Sequence, residues 1–216
     1  RLGVIADVHG NLPALEATLD DLPAVDRLVC AGDVVGYNPW PVECVDAVRD
    51  REMPTVMGNH DRAVARDAGF RFNAMAKAGI AYARERLDEP RLSWLAGLPD
   101  ERRLVDGRVA VVHGHPDDPD RYTYPEEFSA GMLDGEDLLV TGHTHVQGHR
   151  VFDAGVVLNP GSVGQPRDGD PRAGYAVVDL GAGTGGEAVT VEERRVEYDV
   201  DAVVAKVRES GLPDRI

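Results

Sequence analysis

Seven histidines punctuate this 216-residue chain, and five of them share one context. His9, His60, His113, His143 and His145 each follow a short apolar run and stand beside a glycine. Asp7 accompanies His9, Asn59 accompanies His60, and Asp33 closes an apolar run of its own. Imidazole, carboxylate and amide oxygen together suit divalent ions such as Mn, Fe or Zn, and they argue against a thiolate site. One such ion takes about four to six ligands, so a set this large implies two ions. Two ions ~3.5–4 Å apart share an anionic oxygen and clamp the attacking and leaving oxygens of a phosphoryl displacement. A lone Asp or His would ordinarily be solvated surface. It is the repeated context that points to a metal.

Such donors need rigid elements beneath them. Residues 2–6, 25–30 and 54–57 read as strands, each ending in a polar turn with glycine. Leu12, Leu15, Leu19 and Leu22 recur at helical spacing, and residues 39–49 are helical in pattern with Pro41 in the first turn. Three strand–turn–helix units in succession predict a parallel or mixed sheet with helical crossovers, whose strand carboxyl ends share one edge. Asn59-His60-Asp61 also suits a helix N-cap, so Asn59 is expected to be both cap and ligand.

Beyond these units, residues 73–87, 90–97 and 199–210 read as helices. Asp106-Gly107 predicts a two-residue hairpin between strands 102–105 and 108–112. Further strands are expected at 138–141, 150–152, 156–158, 175–180 and 188–196. No repeat or linker divides the chain, so residues 1–216 are expected to form a single domain. Its core should be two β-sheets packed face to face, with helices outside.

Composition narrows the function further. Net charge is −15, with 24 Asp and 14 Glu against 21 Arg and only Lys77 and Lys206 as lysines. Such a surface repels duplex nucleic acid and anionic membranes, because few cations are free for phosphates. The bias fits salt adaptation and a GC-rich genome alike. No apolar run is long enough for a membrane span. Arg1–Asp7 reaches an acid too early for a secretory leader. Cys30 and Cys44 form no CxxC pair, and Cys30 ends an apolar run as a buried thiol would, so a reducing cytoplasm is expected.

Asp7-Val-His9, Gly32-Asp33-Val-Val-Gly36, Gly58-Asn59-His60-Asp61, Val111-Val-His113-Gly114 and Gly142-His143-Thr-His145 resemble, in order, the five motifs of calcineurin-like metallophosphoesterases. Chain size and the tail Asn159-Pro-Gly-Ser-Val-Gly-Gln-Pro resemble the small single-domain bacterial and archaeal phosphodiesterase branch. The resemblance runs from Leu2 to about Val196. It implies a four-layer α/β/β/α sandwich. It also implies a first ion on Asp7, His9, Asp33 and His145, and a second on Asp33, Asn59, His113 and His143. Mn is favoured over Fe, Zn, Ni or Co. His143 and His145, at i and i+2 of an extended segment, would reach neighbouring ions from one side, with Thr144 facing away.

The expected reaction is in-line attack on a small phosphate ester by a metal-bridging hydroxide. His60 matches the family's catalytic histidine and would act at the leaving oxygen, oriented by Asp61 or another carboxylate. Asn11, Tyr37, His115 and Arg167 are candidate substrate contacts, while Ser162 and Gln165 should support the Asn159-Pro-Gly turn. The same metal core serves phosphomonoesterases, protein phosphatases and dinucleoside polyphosphate hydrolases, with Tyr37, Tyr122 or Tyr124 available to stack a base. Gly36-Tyr37 stands where protein phosphatases carry an arginine, which counts against that branch. An intact donor set counts against a non-catalytic scaffold. The oligomeric state is open, a homo-oligomer included.

Overall fold

The computed structural model describes residues 1–66 and 72–213. Along the chain run β1 (Leu2–Ile5), α1 (Leu12–Asp21), β2 (Arg27–Cys30), α2 (Pro41–Asp50) and α3 (Asn59–Arg66). Next come α4 (Ala74–Arg86), α5 (Glu89–Ala96), β3 (Glu101–Leu104), β4 (Val109–Val112) and β5 (Leu138–Val140). The remainder is β6 (Gly148–Phe152), β7 (Gly155–Asn159), β8 (Ala173–Leu180), β9 (Val189–Val196) and α6 (Val200–Glu209). One sheet has the order β2-β1-β8-β9, the other β3-β4-β5-β7-β6, and both are mixed.

Alternation of side chains along each strand builds the layers. Leu2, Val4, Val29, Ala176 and Val178 meet Val109, Val111, Leu138, Val140, Val156 and Leu158 between the two sheets. On the other face of the four-stranded sheet, Ile5, Cys30, Tyr175 and Val177 pack on Leu15, Val45, Val48, Val64 and Leu95 from the helices. Ala110, Val112, Leu139 and Val157 face outward from the five-stranded sheet. Phe128 and Met132, from a segment with two 3-10 turns, cover them. Each fully buried Val or Leu stabilises by ~1.5–3 kcal/mol. The four-layer sandwich is therefore present, its fourth layer thin.

Two local expectations are corrected. Residues 54–57 do not form a named strand. They make one parallel bridge, Thr55 to Cys30. Pro54 lacks an N–H, and the Met57 N–H turns away to the Pro99 carbonyl at 2.8 Å, so the ladder stops. The hairpin at Asp106-Gly107 is wider than two residues, because β3 pairs with β4 only from Leu104 and Val109 outward. Cys30 and Cys44 are free and buried, and burial pushes both thiols well up. No described helix is long and apolar enough to cross a membrane.

Candidate metal centre

β1 and β2 run parallel in one sheet, and β4 and β5 run parallel in the other. Their carboxyl ends open on the same edge of the sandwich. Asp7 and His9 follow β1, Asp33 follows β2, His113 follows β4, and His143 and His145 follow β5. The backbone there is tightly wound. Asp7, His9, Asp33, Tyr37, His143 and His145 all have φ between +49° and +68°. A left-handed non-glycine residue costs on the order of 1 kcal/mol, and such strain concentrates where geometry is over-determined. This corrects the extended reading of residues 143–145. His143 and His145 reach one region because both are left-handed, while Thr144 is tied back by the Asn159 amide at 3.0 Å.

Asp33 is oriented from two sides. The Gly58 carbonyl accepts the first helical bond of α3, from the Arg62 N–H at 3.0 Å, so Gly58 and not Asn59 occupies the cap position. The free N–H of His60, in the first turn, donates to Asp33 Oδ1 at 2.9 Å. A carboxylate at a helix N-terminus is favoured by the dipole as well. Oδ2 then points between two imidazoles, 3.6 Å from His9 Nε2 and 3.4 Å from His113 Nε2. Burial alone would raise the Asp33 carboxyl, but His113 and His60 hold it well below the usual range.

The remaining donors fall on either side. Asp7 Oδ1 lies 3.3 Å from His145 Nε2 and 3.8 Å from His9 Nε2. Asn59 Oδ1 lies 3.1 Å from His113 Nε2. Asp7, His9 and His145 make one compact donor group, Asp33, His113 and His143 another, and His9, Asp33 and His60 a third that overlaps both. An ion about 2.1 Å from two ligands at tetrahedral or right angles separates them by about 3.0–3.4 Å, which these gaps approach. The tautomers agree. His9 Nδ1 donates to the Val35 carbonyl at 3.2 Å, and His145 Nδ1 to the Gln165 carbonyl at 2.6 Å. Their two Nε2 atoms then meet at 3.0 Å. Burial holds His9 well below its usual pKa, and with Nδ1 donating, its Nε2 aims a lone pair at the second imidazole. A cation between the rings would take that lone pair, and the donor set fits one.

Backbone carbonyls orient the other rings. His113 Nδ1 donates to the Ala31 carbonyl at 2.8 Å, and His143 Nε2 to the Asp120 carbonyl at 3.2 Å, which leaves His143 Nδ1 for the centre. Burial lowers His143 to about 4, and it would lower His113 too, but the Asp33 charge lifts His113 to about 10. Tyr122 stacks on His143 at 4.0 Å. Ser162 Oγ donates to the Asp7 carbonyl at 2.7 Å and accepts from the Gln165 N–H at 2.8 Å, the turn-supporting role expected of it.

His60 is buried beside the centre, its ring 4.7 Å from His9 and 4.7 Å from Tyr37. Burial lowers it to about 4. Its Nδ1 has no hydrogen-bond partner among the described residues. Asp61 does not orient it, contrary to expectation. The Asp61 carboxylate accepts instead from the N–H groups of Val34 at 2.9 Å, Val35 at 3.2 Å and Gly58 at 3.1 Å. As the third helical residue it reaches back to its own cap, and it braces the loop that carries Asp33. Burial, then the Asp33 charge, push it up to about 7.

The centre opens into a cavity of about 580 Å³ lined by Asn11, Tyr37, His60 and Arg167 among others. Asn11 caps α1 through Oδ1 and donates to the Gly164 carbonyl at 3.0 Å, so its amide is already engaged. Arg167 donates to the Tyr37 hydroxyl at 3.2 Å and to Gln165 Oε1 at 2.6 Å. His115 is the exception. Its backbone closes a turn with Asp118, and its ring accepts from the Asp117 N–H at 3.1 Å. It lines a separate hollow of about 380 Å³ with Arg103 and Met132, so it is not a contact for anything bound at the centre.

A profile of the calcineurin-like phosphoesterase superfamily domain matches residues 1–183. The crystal structure of a metallophosphoesterase from Sphaerobacter thermophilus is 37% identical, covering 98% of this chain and 94% of that one, with a TM-score of 0.79. Uncharacterized protein MJ0912 of Methanocaldococcus jannaschii is 31% identical over 99% of this chain and 94% of its own length. Phosphodiesterase YfcE of Escherichia coli is 29% identical over 83% of this chain and 87% of its own.

Proposed function

Because the chain belongs to the calcineurin-like phosphoesterase superfamily, we propose that it is a phosphodiesterase acting on a small phosphate ester with two divalent ions. Asp7, His9, Asp33 and His145 would hold one ion, and Asp33, Asn59, His113 and His143 the other. Manganese suits the mixed imidazole, carboxylate and amide donors, which include no thiolate. The observation that carries this reading is Asp33 Oδ2, set 3.6 Å and 3.4 Å from imidazole nitrogens of the two groups. A carboxylate so placed would serve both ions. When bound, the ions supply positive charge for the phosphate oxygens and lower the pKa of a water to near neutrality. The name of the E. coli relative, a phosphodiesterase, supports a diester reading for this chain over a monoester one.

The side chains around this centre have separable tasks. Tyr37 and Arg167 border the approach and present a hydroxyl and a guanidinium to a phosphate edge. His60, buried and neutral, presents an N–H to the leaving oxygen. The test is turnover of bis(p-nitrophenyl) phosphate and p-nitrophenyl phosphate after chelation and after manganese is returned. We expect no turnover without metal and faster diester cleavage with it. Faster monoester cleavage would overturn the diester assignment. His60→Gln should keep its manganese yet lose about 10²–10⁴-fold in kcat, the usual contribution of a positioned acid or base. Unchanged kcat would remove His60 from the reaction.

A further inference from the structure

The cavity at the centre has a second end that no catalytic element builds. Phe72, Met75 and Ala76 line it together with Val200, Val203, Val204 and Val207 of α6. α6 presents one apolar stripe, Val200, Val203, Val204 and Val207, and all four line the cavity. Val203 and Val207 are buried in a cluster with Ala78 and Tyr82 of α4. Val200 and Val204, one turn apart on the same stripe, stand at its less buried edge, and Val200 is 41% exposed. The family profile ends at residue 183, so α6 lies beyond the domain that the profile describes.

The size and polarity of the space define what it takes. A volume of about 580 Å³ falls in the range of pockets for whole organic ligands, ~300–1,000 Å³. A phosphoryl group at the metals leaves most of it unfilled. Among the described residues lining it, Arg167 is the only Asp, Glu, Lys or Arg, and it stands at the end near Tyr37. A charged alcohol would therefore lose its hydration at the far end and gain no partner. An apolar group would remove Val200, Val204 and Met75 from water together with itself, and that gain scales with its area.

Resting on the phosphoesterase reading, we propose that the alcohol portion of the substrate is a bulky, uncharged, ring-bearing apolar group. Val200 and Val204 of α6 determine this preference. The phosphate sits at the metals and the ring lies between α4 and α6.

Phosphonates test this without turnover, since their P–C bond is not cleaved. Titration calorimetry on the manganese-loaded protein compares methylphosphonate with 2-naphthylmethylphosphonate. We expect the naphthyl compound to bind at least tenfold more tightly. Val200→Asp, at an exposed position in the first turn of α6 where an acid is tolerated, should reduce that ratio. Val200→Asp with Val204→Asp should bring it close to one, while Val200→Leu with Val204→Leu keeps it. Equal affinities in the unaltered protein, or a ratio indifferent to the aspartates, would overturn the proposal. Failure of both phosphonates to bind would remove the phosphoesterase reading itself, and this inference with it.

Discussion

Asp33 shows how one carboxylate can be committed twice. Oδ1 is used by the His60 N–H, which frees Oδ2 for the centre and fixes its direction. Asp61 works one step further back, with both oxygens on backbone N–H groups. In Asp61→Asn the amide nitrogen would confront at least one of those N–H groups, donor against donor. Leaving a buried donor unsatisfied costs about 1–3 kcal/mol. For a chain of this size that is about 2–12 °C in Tm, and thermal unfolding followed by circular dichroism measures it. An unshifted midpoint would mean the three bonds carry no stability. The donor types were legible in the sequence; the task of Asp61 was not. A carboxylate next to a histidine suggests an orienting pair, and only the fold shows that its oxygens are turned elsewhere.

Among the elements, the junction before α3 has almost no room. A Cβ on Gly58 would lie 1.9 Å from Asp33 Oδ1 and 2.3 Å from the Asp33 nitrogen. Neither atom can yield without moving the loop after β2. Gly58→Ala should therefore displace Asp33 and destabilise by about 1–3 kcal/mol, with manganese content falling well below that of the unaltered protein. Mass spectrometry of the metal and thermal unfolding check both. Full metal retention in the variant would show that Asp33 does not need this placement. The helices and most strands were legible from periodicity, because local spacing carries that signal. Residues 54–57 were misread since an apolar run does not reveal whether a neighbouring strand continues beside it. The carbonyls of Ala31, Val35, Asp120 and Gln165 that orient the imidazoles leave no trace in the sequence, because any residue supplies a carbonyl.

For the whole molecule, the two sheets meet the proposed ions as a clamp. One side brings Asp7, His9 and Asp33, the other His113, His143 and His145. Ions bound by both sides would stabilise the folded chain and not the unfolded one. At 100 times the dissociation constant one site adds about 2.7 kcal/mol, or roughly 5–10 °C. Chelation should lower Tm by that amount, and added manganese should restore it in a concentration-dependent way. A Tm indifferent to both would argue against metal between the sheets. One ion per chain by mass spectrometry would reduce the proposed pair to a single site.

What the sequence by itself determined is the inventory: which donors exist, which apolar runs carry them, and that their turns lie at strand ends. Periodicity and residue chemistry are local, so they survive without coordinates. The tertiary structure decided direction. His9 and His145 stand 136 residues apart yet meet at 3.0 Å, while His115, two residues from His113, faces another hollow. Val200 and Val204 read only as a helical face until the fold laid them against the cavity. Orientation depends on contacts between segments far apart in the chain, and no local pattern encodes those.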